Sequence, residues 1–179
     1  MSAPVTLGLG LASLVMIGLA AIVKPPPLFV WNASASAPIG LYRVAPIAEL
    51  SIGDLIVLRP PDVIERLLVS RGYIHGSVPL IKRVAALAGQ RVCRHALRVS
   101  IDGAPAGYAR VQDHAGRPLP VWQGCRLLRR GEIFFMTTGQ PDSFDGRYFG
   151  PLPRVRVIGR AIPIWTRAEG ASIARRGVP

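Results

Sequence analysis

A mainly β domain carried behind one N-terminal transmembrane helix is the fold class this sequence predicts, and three observations predict it. The run Val5 to Val23 holds no charged residue, and at about 1.5 Å per helical residue it approaches the ~30 Å of a bilayer core. After Pro25-Pro26-Pro27, short Val-, Ile- and Leu-rich segments alternate with Gly and Pro, the punctuation of a strand-rich domain. Finally, 179 residues suit one anchor and one domain of ordinary size rather than two full domains. The expected division is an anchor over 1–24, a β-rich domain over 25–170 and a frayed tail over 171–179.

The anchor has a rival reading as a cleaved signal peptide, since A-x-A sequences follow at Ala33-Ser34-Ala35 and Ala35-Ser36-Ala37. Cleavage sites normally sit close behind the apolar core and a basic region precedes it. Here the sites lie well beyond Val23, Pro38 follows the second, and Met1 to Pro4 carries no Lys or Arg. Lys24 just past the helix favours a cytoplasmic domain under the positive-inside rule, but a single lysine is a light vote and leaves orientation open.

Consecutive prolines then stop the helix and stiffen the exit from it. Leu28-Phe29-Val30-Trp31 reads equally well as a lipid-interface loop or a core strand. Strands are expected in Gly40 to Ile47, Asp54 to Leu58, Pro79 to Leu87, Arg91 to Ile101, Glu132 to Thr138 and Val157 to Trp165. Asp62 to Arg71, after Pro60-Pro61, is the one amphipathic helix; Asp102-Gly103 marks a hairpin turn, and Gln112 to Gln123 a polar connection.

The net charge of +12 would draw the protein to an anionic surface. Its basic residues are scattered (Arg59, Arg66, Arg91, Arg98, Arg110) and build no nucleic-acid module, so a lipid bilayer is the expected partner and nucleic acid is not. The three histidines, His75, His95 and His114, lack ligand spacing, and neither a metal nor a cofactor is expected. Cys93 and Cys125 permit a disulfide; two unrelated buried thiols are the other reading.

Two residues invite chemistry. Ser36 lies in the loop Asn32-Ala33-Ser34-Ala35-Ser36-Ala37-Pro38, where a serine is ordinarily unremarkable. Lys82 falls in a strand-like segment, where alternation puts it on one apolar face with Leu80 and Val84 while Arg83 points away. Most such lysines cover core with the stem and reach solvent with the amine. Burial of the amine would instead disfavour its charge and let it accept a proton from a serine hydroxyl.

The ordered set Ser36-Ala37-Pro38-Ile39-Gly40-Leu41-Tyr42, Gly53-Asp54, Lys82 to Gly89, Asp142 to Gly150 and Val157 to Ala161 resembles the signal peptidase I superfamily box by box. The resemblance runs from Asn32 to Trp165. Only Ala37 separates Ser36 from Pro38, where the general family places a methionine and a longer spacing, and Gly139-Gln140-Pro141-Asp142-Ser143 lacks the usual Gly-Asp-Asn stretch. Both departures resemble the TraF branch of conjugative-transfer peptidases.

The resemblance implies an all-β catalytic core with a membrane-facing substrate groove, Ser36 as nucleophile and Lys82 as general base. It further implies that Ser143 orients the lysine and that Ser34, with the Ser36 amide, forms the oxyanion hole. Asp145 matches a third catalytic member, with a structural ion pair to Arg147 as the alternative; Arg83 and Gly150 match structural positions. The catalytic domain would lie in the periplasm, single-pass in the inner membrane, and a Cys93–Cys125 disulfide is then expected. The implied substrate is an exported, membrane-bound pilin precursor, cleaved after a small residue and in some family members cyclised. The alternatives are a general signal peptidase acting on preproteins and a non-catalytic component of a conjugation or secretion apparatus.

Overall fold

The computed structural model describes residues 3–22 and 26–167. Lys24 and the tail expected over 171–179 lie outside the described residues. Helix α1 (Ala3–Ile22) has no acidic first turn and no basic last turn, and Leu7, Leu14 and Met16 are exposed along it. Among the described residues no helix is long and apolar enough to cross a membrane. The segment expected as an anchor is thus helical from Ala3 to Ile22.

The rest is mainly β. Strands β1 (Phe29–Asn32), β2 (Gly40–Ala45), β3 (Leu55–Leu58) and β4 (Leu80–Ala86) are followed by the hairpin strands β5 (Arg91–His95), β6 (Arg98–Ile101) and β7 (Ala104–Tyr108). Then come β8 (Gly124–Leu127), β9 (Glu132–Phe135), β10 (Leu152–Pro153) and β11 (Val157–Thr166). Helices α2 (Asp62–Ser70) and α3 (Gly146–Phe149) interrupt the strands. A seven-stranded sheet in the order β1-β2-β11-β3-β4-β9-β10 and a four-stranded sheet β7-β6-β5-β8 share the molecule.

Alternation builds the core. Ile56, Leu58, Val84, Ile133 and Phe135 project from β3, β4 and β9 into one buried cluster. Ala86, Val92, Val99, Leu128, Phe134 and Met136 form a second, where the sheets meet. Phe134 and Phe135 therefore serve opposite faces of β9, as a strand with both faces covered requires.

The segment expected as one strand over Arg91 to Ile101 is instead a hairpin. Ala96 turns the chain at φ 53°, a conformation that an alanine sequence does not advertise. Side chains hold it there: Gln123 accepts from the Ala96 amide at 2.9 Å and Arg94 Nε donates to the Ala96 carbonyl at 3.1 Å. The Asp102-Gly103 turn lies where expected, with φ 49° and 83°, and the Asp102 carboxylate accepts from the Arg91 amide at 2.7 Å. Leu28 to Trp31 resolves toward a strand, since β1 pairs antiparallel with β2.

Cys93 and Cys125 face each other across β5 and β8 and are joined in a disulfide with Cα atoms 4.0 Å apart. The side chains of Cys125, Arg126 and Leu127 on β8 are exposed, so the bond adds a covalent tie to the ladder that pairs β8 with β5. Closing a loop with a sequence separation of 32 stabilises by about 3–4 kcal/mol on chain-entropy grounds. Replacing both cysteines with serine is expected to lower the urea midpoint accordingly, and adding reductant to that variant should change nothing further.

Candidate active site

The serine loop is a connection between β1 and β2, whose ends meet at the Asn32–Gly40 pair. Gly40 is required there: its φ is +153°, and a Cβ would sit 2.1 Å from the Trp165 carbonyl oxygen. Asn32, buried at the end of β1, organises the loop from within. Its Nδ2 donates to the carbonyls of Ser34 and Ala37 at 2.8 Å each and of Pro38 at 3.1 Å. Three carbonyls share the two hydrogens of Nδ2, which assigns the nitrogen to that side of the amide. Oδ1 therefore faces Ser34, accepting from its amide at 3.3 Å and its hydroxyl at 3.1 Å. Tyr42 clamps the far side, its hydroxyl donating to the Pro38 carbonyl at 2.7 Å.

Ser36 is thereby held in a buried position. Its Oγ lies 2.8 Å from Ser34 Oγ and 3.4 Å from the Ile81 carbonyl. Asn32 Oδ1 can only accept, so it takes a hydrogen from Ser34, while the two serine hydroxyls share a hydrogen bond that either can donate. The serine is docked against β4, one residue from Lys82.

Lys82 pairs with Ile56 of β3 and is 5% exposed. Alternation is as read from the sequence up to Val84, which is buried while Arg83 is exposed and donates to the Gly53 carbonyl at 2.6 Å; an irregularity between Val84 and Ala86 then turns Ala86 to the other core cluster. The amine donates to Ser143 Oγ at 3.2 Å. Burial, above all, pulls the Lys82 pKa down to about 8; the Asp145 carboxylate opposes that shift and the Arg147 guanidinium adds to it. A neutral amine thus becomes accessible just above neutrality, which is what a general base needs.

Ser143, Asp145 and Arg147 come from the loop that leads into α3. Asp145 caps that helix, accepting from the Arg147 amide, and Gly146 is squeezed so that a Cβ would lie 2.6 Å from both the Phe134 ring and the Phe135 carbonyl. The Asp145 carboxylate is filled: Oδ1 accepts from Arg147 Nε at 2.9 Å and Arg147 N at 3.1 Å, Oδ2 from Arg147 Nη2 at 2.9 Å and Thr137 N at 3.0 Å. The ion pair is fully buried, at 3% and 0% side-chain exposure. Arg147 Nη2 also holds the Ser143 carbonyl at 3.1 Å and the Gln140 carbonyl at 2.6 Å.

All five residues singled out in the sequence converge, though not as equals. Ser34, Ser36, Lys82 and Ser143 line a common cavity of about 410 Å³ that also takes in Tyr73 and Phe144. A second cleft, of about 490 Å³, opens from the same Ser36–Lys82 wall toward Phe29, Trp31 and Val78. Asp145 lies behind the wall and reaches Lys82 through its charge, without a hydrogen bond to it. Sequence reasoning missed Asn32 and Thr137. An Asx residue entering a Ser-rich loop is a known turn organiser and could have flagged the first; Thr137 gives no local signal.

Of the histidines, His114 pairs with Asp142 at 3.2 Å on the surface. His95 lies 3.6 Å from Cys125 Sγ, in a group with Cys93 whose two sulfurs are joined to each other.

The family model described as signal peptidase, peptidase S26, matches residues 4–166. A conjugal transfer protein TraF of Agrobacterium fabrum is 34% identical over 88% of this chain and 93% of its own length. A second, from Agrobacterium tumefaciens, is 36% identical over 75% of this chain and 81% of its own. A crystal structure of a signal peptidase I from Enterococcus faecalis covers 64% of this chain and 97% of its own at 18% identity and a TM-score of 0.38.

Proposed function

The chain belongs to the signal peptidase family, peptidase S26, and on that premise we propose that it is a membrane-anchored serine endopeptidase in which Lys82 activates Ser36. The observation that carries this reading is the buried Lys82 amine, with its pKa brought to about 8, on the wall that two clefts share with Ser36.

A substrate carbonyl enters beside Ser36 and takes the Ser34 hydroxyl as a donor, and the Ser36 hydroxyl turns to the Lys82 amine. Oγ attacks the carbonyl carbon while its proton passes to Nζ. The Ser36 amide and the Ser34 hydroxyl stabilise the oxyanion, a contribution worth about 3 kcal/mol per donor in comparable sites. The Lys82 ammonium then returns its proton to the leaving amine, giving an ester on Ser36. Water, activated by the neutral lysine, resolves the ester to acid and free serine; an amine from the substrate itself would resolve it to a new amide and a circular product.

The substrate is an exported, membrane-bound pilin precursor. Two relatives named for conjugal transfer support that choice, as does the position of the second cleft beside an exposed apolar edge. There Trp31 and Trp165 stack with centroids 5.8 Å apart and, with Phe29 and Ile164, stay exposed. Aromatic residues so placed, close behind α1, suit the headgroup level of a bilayer, with α1 as the anchor. The disulfide agrees with a periplasmic domain.

Co-expression with a candidate pilin precursor and intact-mass measurement tests the reading. Wild type is expected to yield the shortened pilin, or a product lighter by one water than that linear peptide if the ends are joined. Ser36→Ala and Lys82→Ala should leave the precursor whole; processing by either would overturn the dyad. Processing of unrelated signal peptides would instead move the protein to general signal peptidase work.

A further inference from the structure

Thr137 follows β9 at a buried position and touches both halves of the site. Its hydroxyl donates to the Ser36 carbonyl at 3.0 Å, across a sequence separation of 101 residues. Its amide donates to Asp145 Oδ2 at 3.0 Å. We propose that Thr137 is a positioning residue for the nucleophile, through which the buried Asp145–Arg147 pair fixes the Ser36 backbone against Lys82. The proposal deepens the serine–lysine reading and rests on it.

The physical case begins with what otherwise holds Ser36. Asn32 secures the carbonyls of Ser34, Ala37 and Pro38, on either side of Ser36 but not its own. The Ser36 carbonyl is left to Thr137. A peptide plane pinned at its oxygen fixes the backbone torsion that places Cβ, and hence Oγ, on the cavity wall it shares with Lys82. The same plane carries the amide of Ala37 and adjoins that of Ser36, the oxyanion donor proposed above.

The second half of the case is what anchors Thr137. Its amide is tied to a carboxylate whose remaining bonds all go to Arg147, and Arg147 in turn grips the Ser143 carbonyl. Ser143 receives the Lys82 amine. One buried ion pair therefore has two arms: through Thr137 to the nucleophile, and through Ser143 to the base. The arrangement sets the separation of the two reacting groups from behind the site.

The test uses the full-length protein in detergent, with a fluorogenic precursor peptide and a penem acylating agent. Thr137→Val keeps shape and removes the hydroxyl; Thr137→Ser keeps the hydroxyl. Valine is expected to lower kcat by about 10- to 100-fold, the scale of an ångström-level misplacement, with KM within about twofold and the lysine limb of the pH profile unmoved. Serine should restore kcat to within about threefold of wild type. Penem titration counts competent sites, so a valine variant that loses sites in proportion to kcat shows damage to the fold and overturns the proposal. So does a valine variant with wild-type kcat, or a serine variant as slow as valine. Ser36→Ala and Lys82→Ala run alongside: if either cleaves, it is the dyad that fails, whatever Thr137 does.

Discussion

Lys82→Met is expected to abolish processing while leaving the protein as stable as wild type at pH 7, or more so. The activity loss follows from removing the buried amine that lines the same clefts as Ser36, and should reach roughly a thousandfold or more, as for other residues acting as one catalytic unit. The stability gain follows from linkage. In the unfolded chain the lysine holds its proton to about 10.5, in the folded one only to about 8. Below pH 8 both states are protonated and the fold bears the full cost of a buried ammonium, about 3 kcal/mol from the shift. Between the two values the unfolded state binds more protons, so wild-type stability rises with pH and levels off above the upper one. Methionine fills similar space without the charge. Against that gain stands the lost hydrogen bond to Ser143, about 1 kcal/mol. Urea unfolding of both proteins at pH 7 and pH 10 checks the prediction: the methionine variant should lead at pH 7 and lose that lead at pH 10. The matching kinetic result is a wild-type kcat/KM that climbs through pH 8 on a single deprotonation.

How much of this was legible beforehand depends on how local the cause was. The strand holding Lys82 could be read because alternation is written in consecutive residues, and buried Val84 and exposed Arg83 follow it; the irregularity before Ala86 is not written there. The Asp102-Gly103 turn could be read for the same reason. The break at Ala96 could not, because its causes, Gln123 and Arg94, act through space. Strand β7 (Ala-Pro-Ala-Gly-Tyr) has no apolar rhythm, and it forms by pairing with β6. At the site, Ser36 and Lys82 stood out through the ordered set of motifs, whereas Thr137 reaches Ser36 over a separation of 101 residues and nothing near it in the chain announces that.

Asp145→Asn should separate the two roles open to that carboxylate. Both oxygens accept from N–H donors, so an asparagine NH2 must point at a donor and leaves the buried Arg147 guanidinium without its counter-charge. Breaking a buried pair from one side costs about 3–5 kcal/mol. A drop of that size in unfolding free energy is expected, and the Asp145→Leu, Arg147→Met double variant should be less destabilised than Asp145→Asn, since it buries no charge. The informative reading is the pH profile of the fraction that stays folded. The Asp145 charge favours the Lys82 ammonium, and the Arg147 charge opposes it. Removing the first while keeping the second lowers the lysine pKa further, so the rising limb of kcat/KM should move below pH 8 and penem labelling of Ser36 should persist on folded protein. A carboxylate that itself took a proton during the reaction would give the reverse: labelling lost from folded protein. The ion pair as it lies in the structure, with no hydrogen bond between Asp145 and Lys82, predicts the shifted limb.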